Sequence, residues 1–177
     1  MTDQFKENMH FESDRFDVID LGESTGIDYK KITIGVLPYS MKDGIVDKVG
    51  LLNESNVFRD GGFSNTIITG TMEPSDKSLL DCSIRELCEE SGYTIESPDS
   101  WNFLGAFSLS KGSNEINHVF AVDVTGSVMG KAKGDGSKKE ELSTFKMMDV
   151  VNVIQSNEAL LLASYIRLFN FLYNKYE

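Results

Sequence analysis

Residues Arg85 to Tyr93 read RELCEESGY and crowd Glu86, Glu89 and Glu90 beside one guanidinium. Oxygen-only donors of this kind suit a hard divalent cation such as Mg2+, which binds through a few carboxylates, waters and substrate phosphates. Placed on a helix at about 100° per residue, Glu86, Glu89 and Glu90 fall within about 100° of one another. Leu80, Ile84, Leu87 and Cys88 share the roughly opposite face, so the helix has an oily side and a carboxylate side. Arg85 and Glu89 stand four apart, the spacing at which an ion pair forms. Like charges this close destabilise a bare helix. Taken alone, a solvated acidic face is a better reading than a metal site, because such faces are common.

The surrounding elements decide between the two. The helix is expected over about 77 to 91, with Asp76 or Ser75 as N-cap and Gly92 just past its end. A strand over 66–72 precedes it, and 73–76 turns the chain between them. Earlier strands are expected over 16–20, 32–40 and 45–52, with a loop over 53–65. Later ones are expected over 101–110, 118–124 and 142–148. A Gly- and Lys-rich loop spans 130–141, and Leu160, Leu161, Tyr165, Leu168, Phe169 and Leu172 mark a C-terminal helix over about 157 to 175. The pattern predicts one α/β domain over 1–177, a mixed sheet between flanking helices, with short N-terminal strands in 1–30.

Composition narrows the function classes. Apolar residues make up 40% and charged residues 25% of the 177, which suits one soluble domain with its own core. The formal net charge of -11 disfavours nucleic acid and anionic membrane as partners. No apolar run approaches a membrane span, and the polar first ten residues hold no signal-peptide core, so a cytoplasmic setting is expected. Cys82 and Cys88 lie about 240° apart on the helix and cannot pair within it, so both are expected as free thiols. With two histidines and two cysteines, a zinc site is not expected.

Glycine, loop, helix and R-E-L-x-E-E-x-G-Y together resemble the Nudix hydrolase signature, G-x5-E-x7-R-E-U-x-E-E-x-G-U, where U is bulky and apolar. Residues 85–93 match its second half at every specified position. The first half departs. Asp76 stands where the family has glutamate, and Gly70 to Arg85 is one residue longer. The resemblance implies Mg2+, with Mn2+ as an alternative, held by Glu86 and Glu90 with Glu89 close by and a carbonyl around Gly70 as a further ligand. It implies that Arg85 orients the carboxylates without touching substrate.

More weakly, the chain is similar to ADP-ribose pyrophosphatases. In that subfamily a late-loop glutamate binds metal or acts as base, which makes Glu140 the first candidate and Glu141 the second. Glu115, Phe58 and Arg59 are candidate substrate contacts, and N-terminal strands build a homodimer in that subfamily. The implied reaction is attack of water on the pyrophosphate of a nucleoside diphosphate linked to another group, ADP-ribose or a nucleotide sugar first. Dinucleotides such as NADH, FAD and diadenosine polyphosphates, or RNA caps, are the enzymatic alternatives. A nucleotide-binding regulatory module is the non-enzymatic one. Such modules typically lose signature glutamates, and this chain keeps all three.

Overall fold

Seven of the ten strands join one mixed sheet in the computed structural model, which describes residues 9–20, 25–56, 62–134 and 143–173. Its strands are β4 (Thr33–Lys42), β5 (Ile45–Ser55), β6 (Phe63–Thr66), β7 (Ile68–Thr71), β8 (Trp101–Ser108), β9 (Ile116–Asp123) and β10 (Thr144–Asp149). The central order is β10-β5-β4-β9-β8. The β4 and β5 hairpin splays at its open end, where β6 pairs with β5 and β7 with β4. One stretch of chain, bent at buried Ile67, therefore bridges the gap. The first three strands, β1 (Met9–Glu12), β2 (Phe16–Asp20) and β3 (Thr25–Tyr29), form a separate antiparallel sheet.

β4 pairs in parallel with β9 and is buried along most of its length, so it reads as a continuous apolar run. Its alternation still sorts residues between two cores. Ile34 and Val36 join Leu87, Cys82 and Val122 under helix α1 (Leu79–Ser91). Leu37 and Tyr39 point the other way, into a core with Val119, Leu161 and Leu168. That second core is closed by α2 (Val150–Ile154) and α3 (Ala159–Tyr173). The α/β/α sandwich expected from the sequence is the observed architecture.

Several boundaries differ from the sequence reading. The expected loop over 53–65 is shorter, because β5 runs to Ser55 and β6 begins at Phe63. The C-terminal helix spans Ala159–Tyr173, with a separate five-residue helix before it. Helix α1 starts at Leu79, and its N-cap is Ser78, whose Oγ accepts from the Asp81 N–H at 3.1 Å. Neither Asp76 nor Ser75 caps it, because Asp76 has another partner. Gly92 ends α1 as expected, at φ +79° with its N–H donating to the Cys88 carbonyl.

Candidate active site

Arg85 is the hub of the site. Its Nε and Nη2 donate to the two carboxylate oxygens of Asp76 at 3.1 and 3.0 Å. Nη1 donates to Glu86 at 2.8 Å and to Glu89 at 2.9 Å. Nη2 also reaches the Thr71 carbonyl at 3.1 Å, tying the helix to the end of β7. The planar fork is thus committed to three carboxylates and one carbonyl.

Asp76 is positioned by its own turn. Its N–H donates to the Glu73 carbonyl, and its Oδ2 accepts from the Glu73 N–H at 2.8 Å. Hydrogen bonds from Arg85 hold its carboxyl below the usual range. The signature places glutamate here with one residue fewer before the arginine. In this chain a shorter acid is paired with a longer connection, and the two-oxygen contact with arginine still forms.

Glu86 corrects the expectation of an exposed carboxylate face. It is only 9% exposed, tucked against β7, and its carboxylate lies where a side chain on Gly70 would stand. Burial pushes its pKa up from 4.5 to about 7, although the Arg85 charge pulls the other way. Glu89 and Glu90 are half-buried in the last turn. Cys82 and Cys88 are free thiols, as expected, and burial pushes the Cys82 thiol up to about 12, so it is no nucleophile.

Among the described residues no three acidic, histidine or cysteine side chains converge into a ready-made metal cage. A divalent cation of the Mg2+ type does not require one, since one or two carboxylates with waters and phosphates suffice. The side-chain-free space at Gly70, filled by a buried carboxylate, fits that donor set.

The C-terminal end of α1 is also gripped. The N–H groups of Gly130 and Gly134 donate to the carbonyls of Gly92 and Glu89, each at 3.0 Å. The segment 130–134 is thereby docked beside the last glutamates of the helix. The sequence reading saw only a Gly-rich loop there, and neither spacing nor periodicity signals this contact. Glu140 and Glu141 lie outside the described residues, as do Phe58 and Arg59. Glu115 sits in the β8–β9 connection, where its charge acts on Tyr29 of the N-terminal sheet. His118 is part-buried, with Nδ1 at 3.3 Å from the Thr33 carbonyl.

A scan of family models matches residues 30–168 to the NUDIX domain. The chain belongs to the Nudix family. A comparison with functionally curated proteins finds no match. Among solved structures, an ADP compounds hydrolase superposes with a TM-score of 0.62 at 15% identity, over 93% of this chain and 90% of that one. An Ap4A hydrolase from C. elegans gives 0.57 at 18% identity, over 80% and 97%. The NUDIX domain of Shewanella oneidensis NrtR, solved with ADP ribose, gives 0.54 at 16% identity, over 77% and 87%. At these identities the superpositions speak for the Nudix fold alone. No helix among the described residues is long and apolar enough to cross a membrane.

Proposed function

We propose that this Nudix protein is a pyrophosphohydrolase acting on a nucleoside diphosphate linked to a second group, with ADP-ribose or a nucleotide sugar as the first substrate class. The observation that carries this reading is the complete carboxylate set on α1, with Glu86 and Glu89 oriented by Arg85 and Glu86 opposite the side-chain-free Gly70. Glu86, Glu89 and Glu90 would hold Mg2+, or Mn2+ in its place, with a carbonyl near Gly70 contributing. When bound, the cation neutralises the diphosphate and lowers the pKa of water. Arg85 acts as a positioning residue, since its donors are already spent on Asp76, Glu86, Glu89 and Thr71. Glu140, then Glu141, remains the proposed base.

The test is phosphate release from a panel of nucleoside-diphosphate compounds, coupled to a phosphatase, with Mg2+ and with EDTA. Metal-dependent release led by ADP-ribose is the expected result. Release led by diadenosine polyphosphates would move the substrate class. No release from folded protein would favour the regulatory reading, a possibility kept open by the fold likeness to NrtR solved with DNA. Glu90→Gln should remove turnover while the far-UV spectrum and melting temperature stay near wild type; retained turnover would refute the metal assignment.

We also infer a homodimer. Among the described residues of the small sheet, β1 pairs with β2 and lies at the sheet's end, which supports a partner along its other edge. Light scattering coupled to gel filtration reads the mass directly, and a monomeric mass would end this reading.

A further inference from the structure

On the face of the main sheet opposite α1, a cavity of about 420 Å³ opens between β6 and the turn joining α2 to α3. Its volume is in the range of small-molecule sites. Phe63 and Asn65 form one wall, two residues apart on β6 and therefore on the same side of the strand. Asn152, Gln155 and Asn157 form the other, from α2 and the turn after it. The sheet stands between this cavity and the α1 carboxylates, and the pyrophosphohydrolase reading gives it no task.

We propose that the cavity is a second binding site, one that takes a neutral sugar ring. It goes beyond the hydrolase reading and does not rest on it.

The polar groups left open in the two walls set the ligand's chemistry. Asn65 Oδ1 accepts from Asn53 Nδ2 at 2.9 Å, so the Asn65 amino group is left over. Asn152 Nδ2 donates to the Asp149 carbonyl at 3.0 Å, which leaves the Asn152 side-chain oxygen. The side chains of Gln155 and Asn157 make no hydrogen bond among the described residues. By contrast Ser64, Ser156 and Glu158, which complete the lining, each have a partner within the protein.

What remains is one amino group, one carbonyl oxygen and two whole amides on facing walls. A hydroxyl both donates and accepts, and it rotates to suit its neighbour, so it can meet any of these. A sugar carries hydroxyls around its rim and can meet both walls at once. A nucleobase holds its donors and acceptors fixed in one plane, which suits a single wall of fixed partners rather than two walls of rotatable amides.

Phe63 supplies the apolar contact. Its ring is 45% exposed beside Asn65. The C–H face of a sugar ring is apolar, and laying it on Phe63 removes both surfaces from water. An aromatic ring flanked by side-chain amides thus matches the two kinds of surface that one sugar ring presents.

The test titrates isotope-labelled full-length protein with glucose, galactose and mannose, and separately with adenosine and inorganic phosphate. At least one of the sugars should shift the amide resonances of 63–65 and 152–158 saturably and leave those of α1 in place. That sugar should bind about tenfold more weakly to Phe63→Ala and several-fold more weakly to Gln155→Ala. Both substituted side chains are exposed, so the folded spectrum should persist. Mg2+ and EDTA should leave the sugar's affinity unchanged. The absence of a saturable shift with every sugar overturns the proposal, as does wild-type binding by Phe63→Ala. Shifts of these amides by adenosine or phosphate and by none of the sugars would give the cavity to another ligand and overturn it equally. The titration reads no cleavage, so its outcome and that of the diphosphate panel are separate: either reading can fail while the other stands.

Discussion

At the residue scale, Glu86 and Gly70 form one device. An alanine side chain at Gly70 would land on the Glu86 carboxyl group, which sits at the end of a flexible side chain. The backbone need not move, but the carboxylate must. Gly70→Ala should therefore keep its fold while binding Mg2+ about 10–100-fold more weakly, the scale seen when the surroundings of a metal ligand are disturbed. A Mg2+ titration of activity checks it, and an unchanged midpoint would remove Gly70 from the site. The raised pKa of Glu86 gives a second expectation. Below its ordinary 4.5 the carboxyl is protonated in folded and unfolded chains alike. Between 4.5 and about 7 the metal-free folded protein holds a proton that the unfolded chain has lost. The stability this contributes is lost as pH rises through about 7. Divalent metal binding to the ionised carboxylate opposes that loss, so the rise in Tm caused by Mg2+ should be larger at about pH 8 than at about pH 5. An equal rise at both would mean that Glu86 is not the titrating ligand. The lowered pKa of Asp76 acts below 3.8 and stays outside this window.

At the element scale, α1 is held from three sides. Ser78 caps its start, Leu87 and Cys82 bury its apolar face, and the Gly130 and Gly134 N–H groups close its end. Leu87 is fully buried, so Leu87→Ala should destabilise the protein by about 2–5 kcal/mol. A denaturant melt measures this, and an unchanged midpoint would contradict the helix orientation. Much of α1 was legible in the sequence, because its period places Leu87 inward and pairs Arg85 with Glu89, as observed at 2.9 Å. The start of the helix was not, because Ser75, Asp76 and Ser78 are all good caps and only the partner of Asp76 distinguishes them. The burial of Glu86 was hidden for a related reason. Helical period sees one helix, whereas β7 covers that side of it from fifteen or more residues before Glu86 in the chain. β6 was missed because F-S-N-T carries little β-branched apolar signal and earns its ladder from pairing with β5.

At the scale of the whole molecule, the main sheet carries the proposed site, and the N-terminal sheet, continuous with it through residues 30–32, is also held by its 111–114 loop. Backbone bonds run from the Ile27 N–H to the Gly112 carbonyl at 2.7 Å and from the Asn114 N–H to the Ile27 carbonyl at 3.3 Å. The Asn114 side chain adds the tightest grip. Its Oδ1 accepts from the Tyr29 N–H at 2.5 Å, and its Nδ2 donates to Asp28 and to the Tyr29 carbonyl. The 111–114 loop thus acts as a further strand along β3, and a parallel bridge joins Ile27 to Ser113. A small three-stranded sheet needs such support, because it buries little apolar surface of its own. Asn114→Ala removes three hydrogen bonds at this seam and none within either core. The β2 and β3 amides should then exchange with solvent about tenfold faster or more, while those of α1 keep their protection. Faster exchange in α1 as well would mean that the two sheets open as one cooperative unit. Unchanged exchange in β2 and β3 would assign their protection to something other than this loop. The separation matters for function because the two parts carry different tasks. If the seam opens alone and cleavage persists, the carboxylate site is self-sufficient in the main sheet. If cleavage fails with α1 still protected, the N-terminal sheet takes part in holding the substrate, in line with Glu115 acting on Tyr29 across the same seam.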